Sequence, residues 1–543
     1  MIRNPILPGF NPDPSICRVW NAYFIATSTF EWYPGVQIHR STDLVNWDLA
    51  CRPLSRASQL DMRGNPDSCG VWAPCLSYAD GLFWLVYTDV KRFDGNFKDA
   101  HNYIVTAPAI EGPWSDPVYV NSSGFDPSLF HDEDGRKWFL NMQWSHRGRS
   151  LGGQPKSPAF DGILLQEWHP ERGLIGPVRN IFAGSPLGLV EGPHLFRRNG
   201  WYYLTTAEGG TGYGHAVTMA RSRVIEGPYE MHPDTHLITA KDHPDAALQR
   251  AGHGQIVETP AGEVYHTHLC SRPLPGRFSP MGRETAIQKC VWGDDDWLYL
   301  EHGGPVPALD VPAPNLPVPN LPAPGPAQER KVEPVRRVFD EPELPPEFQW
   351  LRTPQPERLF TLDGTALCLH GRESIGSWYE QSLVARRQEH LYYRAETQLS
   401  DFAPDTYQQA AGLSTYYNRH KFHFAAVTWD EALGRCLTLM SCAGDWPNGA
   451  LEWPCDPVAL APGPVWLAVK VSRAVQQFYW HQGGDWQALG PALDASVISD
   501  EGGRGEHGSF TGAFVGMMAF DITGQGRMAR FRSFDYVPKP DRV

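Results

Sequence analysis

Short aromatic-rich stretches, separated by polar or glycine-bearing turns, recur through the first part of the chain. Five of these stretches read as strands: YFIATST, FWLVYTD, KWFLNMQ, WYYLTTA and EVYHTHL. Their β-branched and aromatic residues suit half-buried strands, and turns such as HDEDGRK and FRRNGW favour hairpins. Because no segment shows a convincing helical period, the pattern predicts an all-β structure.

Each aromatic strand follows a short apolar stretch that opens with one polar or aromatic residue. The five openings are Asp13 in DPSI, Trp72 in WAPCL, Asp126 in DPSLF, Glu191 in EGPHLF and His253 in HGQIV. A third strand follows in every unit, and similar phrases such as EGPW and EGPY recur. A repeat of about 60 residues with three or four strands is typical of a propeller blade. We therefore predict a five-bladed β-propeller over residues 1–303.

The five opening residues should converge on one mouth, because the innermost strand of each blade lines the central axis. An Asp before Pro often only begins a strand or caps a turn. However, equivalent positions that differ chemically between blades are poor candidates for one shared structural role. Three carboxylates near one axis also repel each other. We therefore interpret Asp13, Asp126 and Glu191 as functional.

The second part of the chain predicts a linker and another β domain. The Pro-rich run GPVPALDVPAPNLPVPNLPAPGP favours an extended linker over residues 304–332. Strand-like segments such as KFHFAAVTWDE and VWLAVKVS then return and predict a β-sandwich over residues 333–543. Its segment GEHGSFTGAFVGMMAFDITG holds Phe510 and Phe514. This segment is either a core strand bounded by loops or a loop that places an aromatic ring over the propeller's mouth.

Composition and charge narrow the classes of partner. The net charge of −14 argues against a nucleic-acid partner, which Lys and Arg clusters would grip. No apolar run approaches the roughly 20 residues of a membrane span, and the N-terminus shows no secretory signal pattern. The ten scattered cysteines lack zinc-site spacing and suit free thiols in a reducing compartment, so we expect a cytoplasmic protein. The abundant Trp, Tyr and Phe residues also suit a site that stacks on sugar rings.

Carboxylates on different blades suit glycoside hydrolysis, which uses two carboxyl groups that flank the scissile bond. In an inverting enzyme they stand roughly 6.5–9.5 Å apart, with room for a water molecule. Glu191 has the longer arm and is our candidate general acid, while Asp13 suits the general base on the opposite wall. Asp126 would keep Glu191 protonated through its like charge.

Several long strings occur in a set order: NPDPSI, YFIATSTFEWYPGV, WAPCL, FDPSLF, EGPHLF, AEGGTGY, GRETAIQK and GSFTGAFVGM. In these strings the chain resembles glycoside hydrolase family 43, above all its two-domain β-xylosidases, over nearly its whole length. The resemblance implies a five-bladed propeller followed by a concanavalin-like β-sandwich. It also implies inversion, with Asp13 as base, Asp126 as pKa modulator and Glu191 as acid.

The resemblance further implies a closed pocket around one terminal sugar. Its walls would be Phe30, Trp72, Thr211, His253, Arg283 and, from the C-terminal domain, Phe510. Arg272 and Arg277 lie close to Arg283 in the sequence, so the identity of the pocket arginine stays open. Some relatives hold a divalent cation near the residue matching His253. A cation ligand and a buried, hydrogen-bonded side chain are therefore both open for His253, and we expect no required cofactor.

These features predict an inverting exo-acting enzyme that releases terminal β-D-xylose from xylo-oligosaccharides. The alternatives are an α-L-arabinofuranosidase or an enzyme with both activities, because both substrates present similar pentose hydroxyls. A noncatalytic carbohydrate-binding protein would keep the aromatic platform but would not need the three carboxylates. We expect a small oligosaccharide substrate, no nucleic-acid or membrane partner, and a homo-oligomer.

Overall fold

A computed structural model describes residues 1–147, 159–315, 333–503 and 509–539. The regular secondary structure of these residues is β-strand, apart from two short 3₁₀ helices at Pro356–Arg358 and Ala495–Val497. The all-β prediction is therefore confirmed. Within the described ranges, no helix has the length and apolar character needed to cross a membrane.

The first part of the chain contains 24 strands over its described residues. They are β1 (Ile2–Arg3), β2 (Ser15–Val19), β3 (Ala22–Thr27), β4 (Trp32–Tyr33), β5 (Gln37–Ser41), β6 (Asp48–Cys51), β7 (Gly70–Ala79), β8 (Leu82–Arg92), β9 (Asp99–Ala107), β10 (Val118–Asn121), β11 (Ser128–His131), β12 (Lys137–Trp144), β13 (Phe160–His169), β14 (Gly173–Phe182), β15 (Glu191–Arg198), β16 (Trp201–Glu208), β17 (Ala216–Ser222), β18 (Glu230–Thr239), β19 (Gln249–Gly252), β20 (Ile256–Glu258), β21 (Val264–Ser271), β22 (Glu284–Trp292), β23 (Leu298–Leu300) and β24 (Asp310–Val311).

These strands build five antiparallel blades in the described part of the chain. Four blades are four-stranded, with the orders β2-β3-β5-β6, β7-β8-β9-β10, β11-β12-β13-β14 and β15-β16-β17-β18. The fifth has the order β19-β21-β22-β23, with β20 also paired to β21. The apolar faces of neighbouring blades pack together, as where Val19 and Phe24 meet Leu85 and Val105. Full burial of such side chains contributes about 1.5–3 kcal/mol each. The five-bladed propeller prediction is confirmed.

The Pro-rich segment begins by packing against the propeller. Strand β24 pairs with β1, and the Asn4 side chain donates to the backbone oxygen of Ala308 at 3.0 Å. The predicted linker spans 304–332, and its residues 316–332 lie outside the described residues.

The second part of the chain forms a β-sandwich. Its strands are β25 (Val335–Val338), β26 (Phe348–Leu351), β27 (Phe360–Leu362), β28 (Leu367–His370), β29 (Ser382–Arg387), β30 (Tyr392–Asp401), β31 (Gln409–Asn418), β32 (Lys421–Asp430), β33 (Gly434–Ala443), β34 (Val458–Ala459), β35 (Val465–Ser472), β36 (Val475–His481), β37 (Gln487–Asp494), β38 (Phe514–Asp521) and β39 (Met528–Pro538). One sheet runs β27-β28-β39-β30-β35-β36-β37, with β25 paired to β39. The other runs β34-β33-β32-β31-β38-β29-β26-β4.

The two parts share a sheet and a core. Strand β26 of the sandwich pairs with β4 of the propeller, so that Trp350 lies opposite Tyr33. The ring of Phe514 stacks on Trp32 with centroids 3.6 Å apart. One apolar cluster holds residues of both parts, including Phe10 and Tyr416. The sandwich is therefore built directly onto the propeller and can contribute groups to its mouth.

Candidate active site

The five opening residues lie at equivalent places in the blades. Asp13 and Asp126 come just before β2 and β11, Glu191 begins β15, and Trp72 lies in β7. His253 falls in the gap between β19 and β20. Asp13, Asp126 and His253 have φ angles of 55°, 53° and 36°, in the left-handed region. Such conformations cost of order 1–3 kcal/mol each and persist only where the surrounding structure enforces them.

The structure brings all the predicted site residues to one cavity of about 210 Å³. They are Asp13, Phe30, Trp72, Asp126, Glu191, Thr211, His253, Arg283 and Phe510. Drug-sized ligands occupy pockets of about 300–1,000 Å³, so this cavity suits a single small ring rather than a polymer chain.

Sequence reasoning missed five further lining residues. They are Phe93, Lys98, Phe125, Phe160 and Gly210. A signal existed for Phe125 and Gly210, which directly precede Asp126 and Thr211 in the motifs. Phe93 and Lys98 lie between β8 and β9, where no repeat pattern points to the mouth.

Trp72 is the centre of an aromatic wall. Its ring centroid lies 5.7 Å from that of Phe30, 5.4 Å from Phe125 and 5.9 Å from Phe510. The Trp72 indole nitrogen donates to the backbone oxygen of Ser68 at 2.9 Å, which fixes the ring's orientation. Such a wall offers apolar faces to the C–H faces of a sugar ring.

The sandwich supplies Phe510, and the propeller binds both the backbone amide and the backbone carbonyl of this residue. Its amide donates to Ser68 Oγ at 3.1 Å, and its carbonyl accepts from Arg283 Nη2 at 3.0 Å. Gly282 has a φ of 63°, and a Cβ there would lie 1.8 Å from the Thr511 oxygen. Only glycine allows this approach, so the GRET motif and the C-terminal loop fit each other closely.

Asp13 is held by strong hydrogen bonds. Its Oδ1 accepts from Arg283 Nη1 at 2.8 Å, and its Oδ2 accepts from Ser28 Oγ at 2.6 Å. Ser28 Oγ in turn accepts from the amide of Ala73 at 2.7 Å. A carboxylate that is fixed in this way, with one charge-assisted bond, is oriented for a role at the cavity.

Glu191 has a different environment from Asp13. Burial, followed by the Asp13 charge, raises the pKa of Glu191 to about 8, against the lowering effects of Arg283 and Lys98. No described residue forms a hydrogen bond with the Glu191 carboxyl. In particular, no hydrogen bond connects the carboxyls of Glu191 and Asp13. Glu191 therefore holds its proton at neutral pH and remains free to give it to a ligand.

Asp126 lies between the other two carboxyls in blade order. Burial and the charges of Glu191 and Asp13 raise its pKa well above the ordinary value for Asp. Its Oδ2 accepts from the Gly192 amide at 3.1 Å. Gly192 has a φ of 57°, and a Cβ there would lie 2.8 Å from His253 Nε2. The like charge that raises the pKa of Glu191 is that of Asp13, and the modulator role of Asp126 stays a prediction.

Lys98 adds a positive charge beside the acid. Its Nζ donates to the Phe93 oxygen at 2.6 Å and lies 4.3 Å from the centroid of Trp144. Burial lowers the pKa of Lys98 to about 8. Since the ammonium favours ionised Glu191, it limits how far burial raises the pKa of that acid.

Arg283 is the arginine of the cavity. Arg272 instead bonds both oxygens of Glu284, and the Arg277 guanidinium lies 4.6 Å from the ring centroid of Tyr213. The structure shows that the direct ion pair of Arg283 is with Asp13.

The donor set around His253 does not fit a divalent cation. Its Nδ1 lies 3.7 Å from Asp13 Oδ1, an oxygen that already accepts from Arg283. Over the described ranges, no group of three or more His, Cys, Asp or Glu side chains is arranged to hold a metal ion. Burial also lowers the pKa of His253, so its ring is neutral beside Asp13. The cation ligand that the resemblance left open for this residue therefore has no support.

Two family models match the chain. Residues 2–298 match the model for glycosyl hydrolases family 43, and residues 336–537 match that of the β-xylosidase C-terminal concanavalin A-like domain. The chain belongs to glycoside hydrolase family 43. Family 43 membership makes it a glycoside hydrolase and removes the noncatalytic alternative. The second match confirms the concanavalin-like sandwich, and family 43 enzymes in general need no cofactor.

Relatives within family 43 match the chain from end to end. "Xylosidase/arabinosidase 43B" of Humicola insolens is 57% identical over 99% of this chain and 98% of its own. "Beta-xylosidase" of Bacillus subtilis is 46% identical over 99% of this chain and 100% of its own. The crystal structure of xylan beta-1,4-xylosidase from Bacillus halodurans superposes with a TM-score of 0.92 at 48% identity, covering 99% of this chain and 100% of that one.

Proposed function

We propose that this family 43 enzyme is an inverting exo-β-xylosidase that removes terminal β-D-xylose from xylo-oligosaccharides. The observation that carries the proposal is the contrast between Glu191 and Asp13 in one small aromatic cavity. One carboxyl keeps its proton to about pH 8, whereas the other is fixed by Arg283 and Ser28. Relatives that are 42–57% identical carry xylosidase names, which supports xylose as the sugar released.

Glu191 is the proposed general acid. It gives its proton to the glycosidic oxygen as the bond from that oxygen to the anomeric carbon breaks, and the bond's electrons stay with the leaving oxygen. Burial keeps the proton on Glu191 until the substrate arrives. The absence of a hydrogen-bond partner among the described residues leaves that proton available for the transfer.

Asp13 is the proposed general base. It takes a proton from a water molecule whose oxygen forms the new bond to the anomeric carbon on the face opposite the leaving group. After one turnover Asp13 carries the water's proton and Glu191 is ionised, so exchange with solvent restores the starting state. Arg283 and Ser28 hold Asp13 in one orientation, which reduces the entropy cost of this step.

The small volume of the cavity supports exo action. A space of about 210 Å³, lined by Trp72, Phe30 and Phe510, has room for one pentose ring rather than for a run of several sugars. The sugar at the non-reducing end enters the cavity, and the rest of the oligosaccharide stays outside.

The substrate preference predicts an ordered response to a panel of substrates. Xylobiose should yield xylose, and 4-nitrophenyl β-D-xyloside should be hydrolysed with a higher kcat/KM than 4-nitrophenyl α-L-arabinofuranoside. A chelator should leave both rates unchanged, because the donors near His253 do not fit a cation. Higher kcat/KM on the arabinofuranoside would assign the alternative function, and a loss of activity with chelator that is restored by a divalent cation would contradict the reading of His253.

The water-activation scheme predicts the configuration of the first product. Proton NMR of a fresh reaction on 4-nitrophenyl β-D-xyloside should show the signal of α-xylose before mutarotation adds the β-anomer. One displacement by water inverts the anomeric carbon, whereas a covalent intermediate would retain it. Early appearance of β-xylose would exclude Asp13 as a base acting on water.

We extend the proposal to assembly and location. Exposed apolar side chains on the sandwich, among them Tyr407, Leu451 and Trp453, offer contact area for a homo-oligomer. All ten cysteines are free, as suits a reducing cytoplasm. Sedimentation velocity of the purified chain tests the homo-oligomer, and a single monomeric species would contradict it. Cell fractionation tests the cytoplasmic location.

A further inference from the structure

A chain of hydrogen bonds connects two elements of the cavity through the interface between propeller and sandwich. The Thr511 amide donates to the Tyr417 hydroxyl oxygen at 3.1 Å, and that hydroxyl donates to Asp500 Oδ1 at 2.6 Å. Asp500 Oδ2 accepts from Arg250 Nη1 at 2.7 Å. Arg250 Nε then donates to the backbone oxygen of Thr211 at 2.8 Å.

One end of this hydrogen-bond chain lines the cavity, and the other end adjoins a residue that lines it. Thr511 directly follows Phe510, and Thr211 is itself a lining residue. Tyr417, Asp500 and Arg250 do not line the cavity, so they act on a bound sugar only through the two ends. Three of the five members come from the sandwich and two from the propeller.

The three inner members are fixed by burial. Tyr417, Arg250 and Asp500 are 0%, 4% and 7% exposed. Burial and the Asp500 charge raise the pKa of Tyr417, so its hydroxyl stays protonated and donates in one direction only. Removing a partner from such a buried set leaves an unsatisfied group, which the structure can relieve only by moving a neighbour.

Further contacts hold Asp500 and Arg250 in place. Lys421 Nζ donates to the backbone oxygens of Ser499 and Asp500 at 2.8 and 3.2 Å. Glu501 Oε1 lies 3.3 Å from Arg250 Nη1, and Glu501 Oε2 accepts from the Ser279 amide at 2.7 Å. Residues of both domains therefore hold the segment that carries Asp500 and Glu501, the two carboxylates beside Arg250.

We propose that Tyr417, Asp500 and Arg250 are positioning residues that set the place of Phe510 relative to Thr211 and thereby the affinity of the cavity for the terminal sugar. This inference rests on the proposed function. It gives the sandwich a second task beside supplying Phe510, because one buried hydrogen-bond chain couples that ring to a wall built by the propeller.

The test compares two Tyr→Phe variants of the full chain. Tyr417→Phe removes the hydroxyl that joins Thr511 to Asp500. Tyr393→Phe is the matched control, since Tyr393 is equally buried in the sandwich core and its hydroxyl has no partner among the described residues. Circular dichroism and thermal melting establish that both variants are folded.

We expect Tyr417→Phe to raise KM for 4-nitrophenyl β-D-xyloside and Ki for xylose together, by about 5-fold, as for one lost hydrogen bond. The value of kcat should stay within about 2-fold, because the walls grip the sugar in the ground state and the transition state alike. Tyr393→Phe should match the parent in all three constants. Asp500→Asn, which keeps the side chain's shape, should raise KM at least as far as Tyr417→Phe.

A folded Tyr417→Phe enzyme with KM and Ki within about 2-fold of the parent would overturn the inference, as would a fall in kcat with KM unchanged. A parent chain that fails to hydrolyse the xyloside would instead overturn the proposed function. The two failures are therefore distinguishable before any variant is compared.

Discussion

Glu191→Gln should lower kcat for xylobiose, a substrate with a poor leaving group, by more than about 100-fold, the range of general acid catalysis. The amide keeps the size of the side chain but is too weak an acid to protonate the glycosidic oxygen. The phenolate of an activated aryl xyloside can leave without being protonated, so hydrolysis of such a substrate should fall much less. The measurement is kcat on xylobiose and on 2,4-dinitrophenyl β-D-xyloside, compared between parent and variant.

The pH profile provides a second readout of the same change. The acid works only while protonated, and the pKa of Glu191 is raised to about 8. The parent's kcat/KM on xylobiose should therefore be sustained below that pH and fall as pH rises through about 8. The residual activity of Glu191→Gln should lack this basic limb.

Asp13→Asn is the comparison that separates acid from base. Loss of the base slows attack by water whatever the leaving group, so this variant should lose activity on both substrates alike. It also leaves Arg283 with a neutral partner, whereas Glu191→Gln breaks no hydrogen bond among the described residues. A Glu191→Gln variant that retains near-normal turnover of xylobiose, or loses both substrates equally, would remove Glu191 from the role of acid.

The repeat made the mouth of the propeller predictable. Residues as different as Asp13, Trp72 and Glu191 open the inner-strand stretch of successive repeats. The inner strands of all blades must meet at the axis, so these residues must meet there too. This argument needs only spacing and residue type. It therefore predicted the blades and the meeting of the three carboxyls, whereas the roles of the carboxyls are tested by the variants above.

Contacts between distant segments were not predictable in this way. Strand β4 is only two residues long, so no periodicity indicates that it pairs with β26. Lys98 approaches Glu191 from a connection between strands, where the repeat is interrupted. The path from Tyr417 to Arg250 depends on how the sandwich sits on the propeller, which alternation within one strand does not encode.

Removing residues 327–543 should abolish activity and should prevent the propeller from accumulating as a folded protein. The cut leaves β4 without its partner β26 and exposes Trp32, which is fully buried against Phe514. Exposing side chains of this size costs about 1.5–3 kcal/mol each, against a total stability of only about 5–15 kcal/mol for a domain. The measurement is the soluble yield, the circular dichroism spectrum and the xyloside activity of the fragment.

Buried polar contacts across the interface increase the expected loss. Arg352 of the sandwich donates to Asp67 Oδ1 at 2.8 Å and to the Asn65 oxygen at 2.7 Å. These bonds hold the segment that ends at Ser68, whose hydroxyl accepts from the Phe510 amide and whose carbonyl accepts from Trp72. The fragment would therefore lack Phe510 and also lose the support that orients the aromatic wall.

Two further preparations separate loss of folding from loss of the closing ring. Co-expression of residues 1–326 with residues 327–543 should restore activity, because the interface is made of noncovalent contacts that two chains can form. Phe510→Ala in the full chain should stay folded and show a raised KM for the xyloside. A fragment of residues 1–326 that is folded, and as active as the full chain, would show that neither the shared sheet nor Phe510 is needed for catalysis.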